Sequence, residues 1–273
     1  MNWKSFVFLI ALGGFLSCNE QAKKEENPNQ EISIEENKGK ALILATLEKT
    51  GTYRQLREKK DVVYTYVYTT PDGKTDSSTE KYIFKDELSY GMYTQHERTF
   101  PKLEGSIEQS FDGTNYWLRH QGKVLNDTTM LKRVAFNRPT NFYWFAMFQK
   151  LTDPGLTYEY LGTTPFEEKQ YEVVKVSFES DAKPKDIYQL YINTESGLID
   201  HFLFTVAEFN VVETPLLMKV EYEEIDGLLI PSKRKYKRSN WELETADGPW
   251  IEVNWTDIRF NNGLQPNDFN FGV

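Results

Sequence analysis

Apolar residues recur at every second position in segment after segment of this chain, the period of a strand whose two faces meet different surroundings. The clearest pair of such segments is 188–192 and 198–206, joined by Asn193-Thr194-Glu195-Ser196-Gly197. That linker ends in glycine and reads as the loop of a bulged hairpin. Tyr188, Leu190 and Ile192 on one arm and Leu198, Phe202, Phe204 and Val206 on the other make one apolar wall, with Ile187, Tyr191, Ile199 and Leu203 expected on the opposite face.

Upstream, residues 40–50 carry Ala41, Ile43, Leu44 and Leu47 at helical spacing and stop at Gly51, a natural helix terminator. From Val62 the period is two, with Val62, Tyr64, Tyr66 and Tyr68 on one face, up to a Pro71-Asp72-Gly73 turn. Further strands are predicted near 81–84, 88–94, 106–111 and 116–119. The alternation lapses between 126 and 151. Asp127 or Thr128 is placed to cap a helix to about residue 136, Pro139 breaks it, and Thr140 caps a second helix bearing Phe142, Phe145, Met147, Phe148 and Leu151. With Tyr143 and Trp144 added, this second helix is apolar nearly all round, so it is either buried on two sides or roofs a cavity.

Strands resume at 156. Val174, Val176 and Phe178 share a face; Met218, Val220 and Tyr222 lead to the two-residue Asp226-Gly227 hairpin turn; residues 228–237 return; and Ile251, Val253 and Trp255 mark the last strand. No fixed-period repeat and no Gly/Pro/Ser-rich linker divides residues 39–273, which read as one domain of mainly β structure.

The N-terminal pattern is different. Lys4, an apolar run from 6 to 16, Ser17 and Cys18 have the layout of a secretory signal whose run is too short to span a bilayer. Phe15-Leu16-Ser17-Cys18 resembles a bacterial lipobox, which implies a signal peptide over 1–17 and lipidation of Cys18, with palmitate among the acyl groups expected. Residues 18–38 are polar and read as a disordered tether. The charges around Lys23-Lys24-Glu25-Glu26 resemble the start of surface-exported lipoproteins, so periplasmic and surface-exposed placement at the outer membrane are both expected.

Composition narrows the function. The 273 residues include 16 Tyr, 18 Phe and 6 Trp, suited to half-buried pleated surfaces. An excess of 41 Asp plus Glu over 32 Lys plus Arg argues against a general nucleic-acid binder, whose phosphate affinity needs clustered cations. Cys18 is the single cysteine, which excludes an intrachain disulfide and a multi-cysteine zinc site.

The order of lipobox, tether, amphipathic helix, antiparallel strands, helical interruption and further strands resembles the LolA/LolB-like superfamily of outer-membrane lipoprotein carriers, together with Bacteroidetes lipoproteins that have no known activity. The residues carrying it are Phe111-Asp112-Gly113-Thr114-Asn115-Tyr116-Trp117, the strand pair 188–192 with Gly197-Leu198-Ile199, the return Ile225-Asp226-Gly227-Leu228-Leu229-Ile230-Pro231, and Asp268-Phe269. The resemblance implies an α+β, mainly β fold: a strongly curved antiparallel sheet forming an unclosed barrel, an N-terminal helix, and a helical segment covering the concave face.

Candidate chemistry is sparse. His96, His120 and His201 are far apart in sequence, no metal-ligating or nucleophile motif is present, and no cofactor is expected. On a strand, Lys233, Lys235 and Lys237 share one face while Arg234, Tyr236 and Arg238 share the other. That cluster reads as an edge-protecting charged strand or as a contact for an anionic head group. The expectation is a non-catalytic, lipid-anchored envelope protein that binds a lipid or other amphiphile on the concave face. Its lining is expected from Phe142, Trp144, Phe145, Met147, Phe148, Tyr188, Leu190, Phe202 and Phe204, with an opening beneath residues 140–151. The alternatives are a scaffold subunit with an envelope protein partner and a solid core, or an envelope glycan hydrolase with two facing carboxylates.

Overall fold

The computed structural model describes residues 37–178, 185–209 and 211–272. The signal-like segment, Cys18 and the tether up to residue 36 lie outside the described residues.

The chain begins with helices α1 (Lys38–Thr50) and α2 (Tyr53–Glu58), then strands β1 (Asp61–Thr69), β2 (Thr75–Ile83), β3 (Leu88–His96), β4 (Ile107–Phe111), β5 (Tyr116–His120) and β6 (Lys123–Val124). Helix α3 (Thr128–Ala146) interrupts it. There follow β7 (Leu156–Phe166), β8 (Lys169–Phe178), β9 (Tyr188–Asn193), β10 (Ile199–Val206), β11 (Val211–Ile225), β12 (Leu228–Arg238) and β13 (Ile251–Phe260), with short 3-10 turns at Ala207–Phe209 and Pro266–Phe269.

The 13 strands of the described residues belong to one antiparallel sheet, ordered β6-β5-β4-β3-β2-β1-β13-β12-β11-β10-β9-β8-β7. Two meanders are therefore joined where the last strand pairs with the first, and β6 and β7 remain as separate edges, so the barrel is not closed. Asp61 fastens that junction. Its buried carboxylate accepts from the backbone N–H groups of Asn262, Gly263 and Leu264 and from the Asn262 side chain, holding the segment after β13 against the start of β1.

The sheet curves around α3, which meets strands from both meanders. Val134 packs with Tyr93, Ile107 and Leu118; Phe142 and Phe145 pack with Tyr64, Tyr82, Phe84 and Trp255; Met147 and Phe148, just beyond the helix, pack with Leu190, Phe202 and Phe204. Ile43 and Leu47 of α1 join this last cluster, closing it toward β7 and β8. Asn37 caps α1 through Lys40 N, and Gly51 ends it at φ +99, where a Cβ would stand 2.3 Å from Leu228 Cδ2.

Three local expectations need correction. Helix α3 is continuous, with Pro139 inside it. Proline removes one intrahelical N–H and disfavours this geometry, but Asn137, Arg138 and Asn141 on either side of it are hydrogen-bonded to Gln109, Glu80 and Tyr93, and those tertiary bonds hold the helix through the break. Strand β2 starts at Thr75, earlier than its hydropathy suggests, because its inward face is polar: Asp76, Ser78 and Glu80 are all buried. Finally, Ile199 pairs with Ile192 while His201 pairs with Tyr191, so Asp200 is an extra residue and the strand changes face. Ile199, and not Leu198, completes the apolar wall with Ile192, Phe202 and Phe204.

Candidate functional site

A cavity of about 710 Å³ lies between α3 and the concave face of the sheet. Its floor takes inward side chains from seven neighbouring strands, running from Tyr66 and Tyr68 on β1 through Trp255, Tyr236, Met218, Phe204 and Tyr188 to Phe178 on β8. Seven strands at the usual spacing set a path of about 29 Å along the curved sheet, so the space is elongated. The roof is the Arg133–Trp144 part of α3, offset toward the N-terminal side of the opening expected beneath residues 140–151.

Each candidate lining residue has a definite place. Trp144, Tyr188 and Phe204 reach the cavity wall. The Trp144 ring is edge-on to Phe204 at 5.1 Å and stacks near Phe202 at 6.1 Å, so the wall is continuous with the core behind it. Phe142, Phe145, Met147, Phe148, Leu190 and Phe202 lie in that core, within closed packing. The helix that looked apolar all round is thus divided lengthwise: its C-terminal turns fill the space between the two meanders, and the turns before them leave a gap.

The basic cluster on β12 divides as its periodicity predicts. Lys233 and Lys235 are exposed on the convex side, whereas Arg234 is 5% exposed and points into the concave interior. Its Nε donates to Pro231 O at 3.0 Å and its Nη2 to Trp144 O at 2.7 Å. The guanidinium lies over the Trp255 ring, 4.1 Å from its centroid. Among the described residues it meets no carboxylate, and burial pulls its pKa down to about 9. Two further arginines line the same cavity. Arg98 stacks on Tyr68 at 4.2 Å and is paired with Asp76 at 3.3 Å, a carboxylate that also accepts from Thr99. Arg133, on α3, has a buried Nε without a partner, and burial with the nearby Arg98 charge lowers its pKa.

These arginines were legible only as charges. Arg133 and Arg98 carried no sequence signal of a shared site. Arg234 could be placed inward from the alternation of β12.

The described lining residues with formal charge are Arg98, Arg133, Lys185 and Arg234 against Asp186 and Glu208. Asp186 accepts from Ala207 N at 2.7 Å, and burial raises its pKa. The cavity is therefore aromatic along most of its length and cationic toward β1, β12 and the roof. Phe209, 54% exposed, lies against Phe136 at 4.9 Å and puts an aromatic pair at its margin.

The histidines have structural surroundings. His96 bonds the carbonyls of Phe100 and Gly105, and His120 that of Glu104. His201 is buried on the convex face against Phe166, Tyr171 and Tyr191, each ring within 4.8 Å. Among the described residues no three His, Cys, Asp or Glu side chains cluster as metal ligands, and no helix is long and apolar enough to cross a membrane.

Comparison with known proteins finds one family model and several solved structures. A family model described as "Family of unknown function (DUF6503)" matches residues 115–211. None of the curated proteins matches the chain. Among solved structures, the chain is similar to a LolA superfamily protein from Nitrosomonas europaea, at 11% identity and TM-score 0.49, covering 85% of this chain and 97% of that one. It is also similar to a DUF1329 family protein from Desulfovibrio piger, at 13% identity and TM-score 0.47, covering 86% and 98%. A domain from Vibrio parahaemolyticus named for outer-membrane lipoprotein sorting is similar at 12% identity and TM-score 0.45, covering 84% and 97%.

Proposed function

We propose that this protein is a non-catalytic binding protein of the cell envelope that holds a lipid or other elongated amphiphile between α3 and the curved sheet, and that Cys18 anchors it to the outer membrane. The observation that carries this reading is the cavity itself. Its volume falls within the roughly 300–1,000 Å³ of small-molecule sites, and its walls are mostly aromatic and aliphatic, with a minority of charged, amide and hydroxyl side chains. Its length across seven strands suits a chain-shaped ligand better than a compact one. Met218 and the ring edges of Trp144 and Phe204 supply an adaptable wall that fits a flexible tail.

Placement in the envelope rests on the lipobox-like Phe15-Leu16-Ser17-Cys18 and the polar stretch after it. Among the described residues the sheet ends at β6 and at β7, edges that leave room for a protein partner alongside the ligand, and the cavity does not require one.

Organic extraction of the purified protein followed by mass spectrometry tests the reading. An amphiphile recovered in near-stoichiometric amount is the expected result. Repeated preparations that yield none, and that take none up from mixed detergent-lipid micelles, contradict it.

A further inference from the structure

Arg234 is costly to the fold in its present surroundings. A guanidinium removed from water without a counter-charge is strongly disfavoured, and such groups are normally paired or replaced by apolar side chains. The contrast lies close by. Arg138, fully buried, has its charge met by Glu80 at 2.8 Å. For Arg234, by comparison, the structure supplies two carbonyls and the faces of two indoles, Trp255 at 4.1 Å and Trp144 at 5.6 Å. Two of its five N–H donors are used by the described residues, and the side chain borders the cavity.

The register places other cations nearby. Arg234 is directly opposite Val253 on β13, and Val253 is opposite Tyr68 on β1. Two strand spacings, about 10 Å, therefore separate the backbone of Arg234 from that of Tyr68, and the Arg98 guanidinium sits over the Tyr68 ring. Arg133 also lines the cavity with its Nε unpartnered, about 16 Å along α3 from the Trp144 carbonyl that Arg234 holds, so it adds to the positive field at a distance and not to the same contact. Asp76 serves Arg98, while the lining carboxylates Asp186 and Glu208 belong to the segments at the other end, beside β9 and β10. One end of an otherwise aromatic channel thus holds more positive charge than the described residues neutralise.

Resting on the binding role proposed above, we infer that the cavity selects an anionic amphiphile, whose carboxylate or phosphate head group is held by Arg234 while its tail runs along Trp144, Phe204 and Tyr188. The head group supplies the missing counter-charge as a charge-assisted, forked acceptor for guanidinium donors. The tail replaces water against the apolar wall. Binding of this kind makes the buried cation useful: its desolvation is spent in folding, so the free site is already organised for an anion.

The test is calorimetric titration of the purified full chain with three ligands that share one tail: oleate, oleyl phosphate and uncharged oleyl alcohol. The wild-type protein is expected to bind at least one of the two anions roughly tenfold or more tightly than the alcohol, and the better anion identifies the head group. Arg234→Met is expected to erase that preference, bringing the affinity for the anions down to that for the alcohol. Arg234→Gln, which removes the charge and keeps a donor for the Trp144 carbonyl, is expected to reduce the preference in the same direction and serves where Arg234→Met does not fold. Equal affinity of the wild type for all three ligands overturns the anionic assignment and leaves the binding role standing. Failure to bind any of the three overturns both.

Discussion

Arg138 on α3 and Glu80 on β2 form a forked ion pair, Nη1 to Oε2 at 2.8 Å and Nη2 to Oε1 at 3.3 Å, with both side chains fully buried. Ser78 and Tyr82 also donate to the Glu80 carboxylate, at 2.7 and 2.9 Å, and Tyr93 accepts from Arg138 Nη2 at 2.7 Å. Burial works against the Arg138 cation, yet the Glu80 charge and the surrounding tyrosines hold its pKa above the ordinary guanidinium value. The pair bolts the roof of the cavity to the sheet one residue before Pro139, where the helix needs support most.

Removing one partner leaves an uncompensated buried charge. Glu80→Gln is expected to cost about 3–5 kcal/mol in urea unfolding, whereas the double change Glu80→Leu with Arg138→Met, which removes both charges, recovers most of that loss. Equal losses in the single and double variants would show that the charges do not act as a unit.

Gly91 gives this pair its space. A Cβ there would lie 2.6 Å from both Arg138 Nη1 and Glu80 Oε1, closer than real Cβ contacts allow. Gly91→Ala is expected to destabilise by about 1–3 kcal/mol through displacement of the ion pair. Combining Gly91→Ala with Glu80→Gln should then cost less than the two separate losses together, which a double-mutant cycle reads directly.

The polar inward face of β2 also explains why this part of the chain is hard to read from sequence. Asp76-Ser77-Ser78-Thr79-Glu80 has the composition of a loop, and its partners Arg98, Arg138 and Tyr93 are remote in sequence. Apolar alternation, by contrast, locates β1, β8, β9, β11 and β13 without help, because one face of each meets the core. The short helix α2 did carry a signal, the Thr52 to Gln55 capping box, in a segment otherwise without periodicity. Within the candidate site, alternation points Tyr188, Phe204 and Arg234 inward. Which of the α3 aromatics face space and which are core depends on how deeply the helix seats between the meanders, and that is set by Arg138 and Glu80.

His201 makes stability depend on pH. Burial lowers its pKa to about 4, against an ordinary value near 6.5, so the unfolded chain binds the extra proton first. The contribution is present above about pH 6.5 and is lost as pH falls toward 4. Between pH 7 and pH 5 the wild type should lose about 2 kcal/mol more than His201→Leu, which has no proton to gain. Denaturant midpoints of the two proteins at both pH values check this; parallel shifts would place the ring in a wetter setting than the aromatic cluster of Phe166, Tyr171 and Tyr191.

Asp61 predicts a separate effect at the sheet junction. Asp61→Ala removes the acceptor of four hydrogen bonds to residues 262–264 and should cost about 2–3 kcal/mol. Hydrogen exchange should show the loss concentrated where β13 meets β1, with the amides of β9 and β10 unaffected.

The central claim is that the space between α3 and the sheet receives an elongated apolar chain, and filling that space tests it most directly. Leu216 is half-buried on the cavity wall, so Leu216→Trp puts an indole into the channel with little disturbance of the packed core. Titrated with an environment-sensitive naphthylamine fluorophore, the wild-type protein should show saturable binding of one probe per chain, displaced by oleate or by oleyl alcohol, and Leu216→Trp, with its thermal unfolding intact, should lose it. Probe binding that is absent from the wild type, or unchanged in Leu216→Trp, would contradict the account.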